Sequence, residues 1–173
     1  MDIKIFSLKD LEEFLLTHKK EYAVIQYTPS PRHVSPFVLT EATEYVHLPV
    51  DDMDHYEFKQ HNPPDAKDVK ACLDFGRDKR KLVVSCSAGI SRSSATAYLI
   101  ASEAFGPGKA LNLLQNKHQP NRLIVYIGSK LLGEETIWTK YVDWMRKWQY
   151  LDPSQDGKWP SSKLISEIGF DKV

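Results

Sequence analysis

Cysteine is nearly missing from this chain. Only Cys72 and Cys86 occur among 173 residues, which excludes a disulfide framework. Both are expected as thiols in a reducing compartment. Net charge is missing too, with 23 basic residues against 23 acidic ones. That balance weighs against nucleic acid or an anionic membrane as the main partner, while a local basic site stays open. No apolar run approaches the length of a bilayer span. Residues 1–10 lack the apolar centre and the cleavage site of a secretory signal, so a cytoplasmic protein is expected. There is no internal repeat and no low-complexity block. What remains is ordinary globular composition, 42% hydrophobic and 27% charged.

The hydrophobic pattern predicts strands at 3–5, 22–27, 44–50 and 82–85, alternating with helices. Ser7 stands as a cap before the apolar face Leu8, Leu11, Phe14 and Leu15. Asn62, followed by two prolines, reads as the cap of a helix over 66–75, with Gly76 as its terminator. Further helices are expected over 93–101 and 109–117, a helical or mixed segment over 122–132, and a helix over 134–148. The last carries the stripe Ile137, Trp138, Tyr141, Val142, Met145 and Trp148, read as core packing. Together these predict an α/β fold: a central, mostly parallel sheet of about four strands flanked by helices. Residues 1–150 read as one domain and 151–173 as a tail with at most one short helical piece. In such sheets ligands bind beyond the C-terminal ends of the strands.

Residues 81–101 stand at such an end. Leu82, Val83, Val84 and Ser85 lead into Cys86. Then come Ser87, Ala88, Gly89, Ile90, Ser91 and Arg92, and Ser93 opens an alanine-rich helix. A loop of this kind, backed by a helix N-terminus, is expected to turn its N–H groups inward as an anion nest. Gly89 permits a turn that a β-carbon would obstruct. Arg92 offers a planar fork for two phosphoryl oxygens. The same positive field favours the Cys86 thiolate, the nucleophilic form. Ser93 can donate a hydrogen bond to that thiolate and assist its departure from an intermediate. Cys72, on a helix face with Val69 and Leu73, reads as buried filler. Asp51, Asp52 and Asp54 lie in a long polar loop upstream, with His55 and His61, which read as surface residues.

The run from Cys86 to Ser93, Cys-Ser-Ala-Gly-Ile-Ser-Arg-Ser, resembles the signature of the cysteine-dependent protein tyrosine phosphatases, dual-specificity branch. Leu48-Pro-Val-Asp-Asp52 resembles the segment that carries that family's general acid. Gln119-Pro-Asn121 resembles its Pro-Asn element. Pro120-Asn-Arg-Leu-Ile-Val125, with Lys130-Leu-Leu-Gly133, is similar to bacterial predicted tyrosine phosphatases in particular. The resemblance spans roughly residues 22 to 133 and implies a phosphocysteine mechanism. Cys86 attacks phosphorus. Residues 87–92 hold the phosphoryl group, with Arg92 and the loop amides stabilising it and no metal or other cofactor required. An aspartic acid protonates the leaving oxygen and then activates water. Alignment places that acid at Asp52, with Asp54 and Asp51 as the other candidates. Asn121 would brace the loop; an ordinary turn asparagine is the other reading. One position departs: Ser85 stands where the family has the histidine that orders the loop and tunes the thiolate, although serine can still hydrogen-bond there.

Residues 87–91 contain no lysine or arginine. A highly anionic lipid or inositol substrate would favour charge there, so a phosphorylated protein or a small aryl phosphate is the expected substrate. A phosphate-binding module without turnover is the competing class. Sulfur transfer or arsenate reduction is a third, with thin support from Cys72 alone.

Overall fold

The computed structural model describes residues 1–54, 61–151 and 159–173. Its strands are β1 (Asp2–Ser7), β2 (Ala23–Thr28), β3 (Tyr45–Pro49) and β4 (Lys81–Cys86), in the order β1-β4-β2-β3. Every pairing is parallel. β2 is buried at every residue and β4 at all but Lys81, as central strands of a parallel sheet must be. The edge strands β1 and β3 are more exposed. In the register Ser7 pairs Cys86, Gln26 pairs Ser85 and Thr28 pairs Pro49. The loops that follow all four strands therefore leave the sheet on one edge.

Helices α1 (Leu8–Thr17) and α2 (Pro36–Glu41) cover one face, where Leu11, Leu15 and Val38 pack with Val24 and Val83. Ser7 caps α1 as expected, its Oγ accepting from the Asp10 amide at 3.1 Å. The other face carries α3 (Ala66–Gly76), α4 (Arg92–Phe105), α5 (Pro107–Ala110), α6 (Arg122–Leu131), α7 (Glu135–Lys147) and α8 (Ser162–Glu167). α4 is buried from Arg92 through Ser102, so it runs through the core instead of lying on it. α6 crosses it closely: a β-carbon on Gly128 would lie 2.2 Å from Leu99 Cδ1. None of the described helices is long and apolar enough to cross a membrane.

Three local expectations are corrected. Asn62 does not cap α3. Asp65 does, in a reciprocal capping box with Asp68, because the helix begins at Ala66, four residues past Asn62, whose side chain donates instead to the Pro49 carbonyl. The helix expected over 109–117 extends only to Leu113: α5 begins at Pro107, tightens into a 3₁₀ turn over Leu111–Leu113 and ends. In the stripe of α7, Trp148 is 40% exposed, and Trp144 enters the core instead. Within residues 151–173, Leu164 and Ile168 are buried in the main core, and the Ala66 amide donates to the Ile168 carbonyl at 3.0 Å. Trp159 stacks on Trp138 at 5.4 Å and takes the Arg122 guanidinium over its ring at 4.2 Å.

Candidate active site

Strand β4 delivers Cys86 to the C-terminal edge of the sheet, and α4 begins six residues later at Arg92. Between them the loop carbonyls turn outward. Ser87 O accepts from Leu8 N at 3.5 Å, Ile90 O from Gln119 N at 3.1 Å and Ser91 O from Asn121 N at 3.2 Å. In a planar trans peptide N–H points opposite to C=O. The amides of Ala88, Ser91 and Arg92 therefore face the inner side of the loop, the arrangement that receives an oxyanion. Ser94 ties the turn from below by donating to the carbonyls of Ile90 and Ser91. Gly89 has φ +69°, a backbone region that glycine adopts without penalty.

Cys86 is 1% exposed at the bottom of this loop, and its Sγ lies 3.1 Å from Ser93 Oγ. Arg92 is buried, with Nη1 donating to the Val50 carbonyl and Nη2 donating to Ser87 Oγ at 3.3 Å. Among the described residues its buried Nε has no hydrogen-bond acceptor. That is a cationic donor with its remaining capacity held for something else, since a buried unpaired donor is costly.

The aspartates separate cleanly. Asp52 Oδ1 accepts from Ser91 Oγ at 2.7 Å and from Asn121 Nδ2 at 2.9 Å, and its Oδ2 lies 3.9 Å from Arg92 Nε. Asp51 points elsewhere, accepting from Ser30 N at 3.1 Å and Asn62 N at 2.8 Å. Burial acts to raise the Asp51 pKa, but those amides, with His61 and Arg92 nearby, hold it below the ordinary carboxylate value. With one backbone amide on each oxygen, Asp51 ties two loops together, whereas both donors to Asp52 sit on Oδ1 and leave Oδ2 without one among the described residues. Asp54 lines a cleft of about 490 Å³ beside the loop, together with Asp52, Ala88, Ile90, Ser91 and Asn121. Arg122, Tyr141, Met145 and Tyr150 form its other wall. His61 sits against Asp51 at 3.6 Å. His55 lies outside the described residues.

Ser85 makes no side-chain hydrogen bond to the loop among the described residues. Strand alternation turns it to the face opposite Cys86, beside Gln26 in the register. Its Oγ and Gln26 Nε2 are both buried without hydrogen-bond partners among the described residues. Cys72 is 1% exposed, with Sγ 3.2 Å from Tyr27 Oη. Burial, with the Asp68 charge adding to it, pushes its thiol up to about 12 against the Tyr27 hydrogen bond.

Sequence reasoning missed one contributor: the Val50 carbonyl anchors Arg92, and a backbone acceptor leaves no mark in a residue pattern. Tyr141 and Met145 are buried in the main core, as their stripe predicts, and also border the cleft.

No protein-family model matches the chain, and no curated protein does. Solved structures do. The crystal structure of PTPMT1 in complex with PI(5)P matches with a TM-score of 0.54 at 12% identity, covering 76% of this chain and 93% of that one. Human tyrosine phosphatase-like serine/threonine/tyrosine-interacting protein matches at 0.52 and 19% identity, covering 73% and 85%. Tk-PTP in its G95A mutant form matches at 0.50 and 16% identity, covering 80% and 91%. The chain has the dual-specificity-like cysteine phosphatase fold.

Proposed function

We propose that this chain is a phosphomonoester hydrolase of the protein-tyrosine or dual-specificity type, working through a phosphocysteine on Cys86. The observation that carries this reading is the buried Arg92, with Nε open to an acceptor and Asp52 Oδ2 3.9 Å away, at the end of the loop that begins with Cys86. The Cys86 thiolate attacks phosphorus as the P–O ester bond breaks, and Asp52 gives its proton to the leaving oxygen. Asp52, now a carboxylate, takes a proton from water as that water attacks phosphorus. The P–S bond breaks, inorganic phosphate leaves, and Ser93 donates its hydroxyl proton in a hydrogen bond to the restored thiolate. Arg92 and the inward amides of Ala88, Ser91 and Arg92 stabilise the equatorial oxygens in both steps.

Ser87, Ala88, Gly89, Ile90 and Ser91 add no side-chain cation to the loop. A phosphorylated protein side chain or a small aryl phosphate therefore fits better than a polyanionic headgroup, although PTPMT1 is seen with PI(5)P. Hydrolysis of an aryl phosphate by wild type, Cys86→Ser and Asp52→Ala tests the reading. Cys86→Ser should abolish turnover, and Asp52→Ala should slow it by about 10²-fold or more. A wild type that binds vanadate but turns nothing over would make this a binding module instead.

A further inference from the structure

Resting on that phosphatase reading, we propose that Ser91 and Asn121 are positioning residues that confine the transferable proton of Asp52 to its Oδ2. A carboxyl oxygen has two lone pairs in its plane. On Asp52 Oδ1 both are taken, by the Ser91 hydroxyl at 2.7 Å and the Asn121 amide at 2.9 Å. A proton on Oδ1 would displace one of these donors. Oδ2 is the oxygen left for it, and it faces Arg92 Nε. The acid is thus oriented before substrate arrives, with its protonated oxygen toward the phosphoryl site.

The orientation of Asn121 is determined by its neighbours. Its Oδ1 accepts from Ile124 N at 3.0 Å as the cap of α6. Its Nδ2 donates to Asp52 and also to the Met53 carbonyl at 3.1 Å. A flipped amide would set donor against donor and acceptor against acceptor. The Asn121 backbone amide holds the Ser91 carbonyl. One residue therefore joins the acid loop, the phosphate loop and the start of α6. The Ser91 hydroxyl, placed by its motif in the phosphate loop, is turned toward the acid.

The charged groups around Asp52 are Arg92 from α4, Asp51 and Asp54 from its own loop, and Arg122 from α6 on the same cleft. Losing either donor leaves Oδ1 free to carry the proton, away from the leaving oxygen, so the acid serves a poor leaving group less well.

The experiment uses the full chain with nitrophenyl phosphate, a good leaving group, and phenyl phosphate, a poor one. Asn121→Ser keeps an oxygen to cap α6 but withdraws the donor from Asp52. It should melt near wild type and lose about tenfold more kcat on phenyl phosphate than on nitrophenyl phosphate. Ser91→Ala should behave like Asn121→Ser. Equal losses on both substrates would overturn the placement, leaving Asn121 a structural cap. Cys86→Ser separates the two levels: if it still turns over, the phosphatase reading falls and this inference with it. If it is inactive while Asn121→Ser loses equally on both substrates, only the inference falls.

Discussion

Gly89 lies against the end of β1, where a β-carbon would stand 2.5 Å from the amide nitrogen of Ser7. The nearest backbone carbon, that of the Phe6 carbonyl, would be 2.7 Å away. Backbone cannot yield as a side-chain tip can. The phosphate loop is therefore seated on β1, and its shape depends on the missing side chain as well as on the positive φ.

Gly89→Ala should accordingly cost about 1–3 kcal/mol from the φ alone, with the clash adding to it. Denaturant unfolding measures the first effect and aryl phosphate turnover the second, since the loop must lift off β1. A variant matching wild type in both would show that the loop does not rest there.

Asp51 and Asp52 are neighbours with separable roles. The folded Asp51 pKa is lowered, so its stabilising contribution is present above the ordinary value near 4 and is lost as pH falls through the lowered one. Asp51→Asn should remove that acid-labile component and cost about 1–2 kcal/mol at pH 7 through weakened bonds to Asn62 and Ser30. Unfolding free energies of both proteins from pH 7 down to pH 3 check this. Parallel curves would assign the acid sensitivity to another group.

Asp68 carries the opposite sign. Burial, together with the charge and hydrogen bond of Asp65, raises it to about 6 against the backbone bond that lowers it. The native state holds this proton more tightly than the unfolded chain. Stability is therefore highest below pH 4 for this group and declines as pH rises toward 6. Asp68→Asn keeps an oxygen for the Asp65 amide and removes the charge. It should be more stable than wild type by about 1–2 kcal/mol at pH 8, with the gap closing near pH 4. A variant less stable at pH 8 would show that the charge is needed for the cap.

The four strands and the Cys86–Arg92 loop were legible because each is written in local chemistry: β-branched runs, a glycine, an arginine at fixed spacing. The sequence also pointed to Asp52, but only through likeness to a family. The geometry adds why Asp51 differs: its oxygens are taken by the backbone amides of Ser30 and Asn62, residues 21 and 11 positions away. No local pattern shows such long-range pairing. The helix expected over Lys109–Lys117 stops at Leu113 for a tertiary reason. Its apolar spacing suits a helix, yet the chain must turn at Gln115–His118 to bring Gln119 and Asn121 back to the carbonyls of Ile90 and Ser91. His118 closes that turn, its Nδ1 accepting from Gln115 N at 2.9 Å. Burial, then Lys117, pushes the ring's pKa down to about 4, keeping it neutral. Asn62 lost the cap of α3 to Asp65 because the helix begins at Ala66, four residues further on.

The most direct measurement is acid-quenched trapping of the phosphoenzyme during turnover, read by mass spectrometry on the two cysteine peptides. Cys86 should gain one phosphoryl group. Cys72, buried beside Tyr27 with its thiol raised to about 12, should gain none. Cys86→Ser should show neither adduct nor turnover. Steady hydrolysis that persists in Cys86→Ser, or a phosphoryl group found on Cys72, would contradict the assignment of Cys86 as the nucleophile.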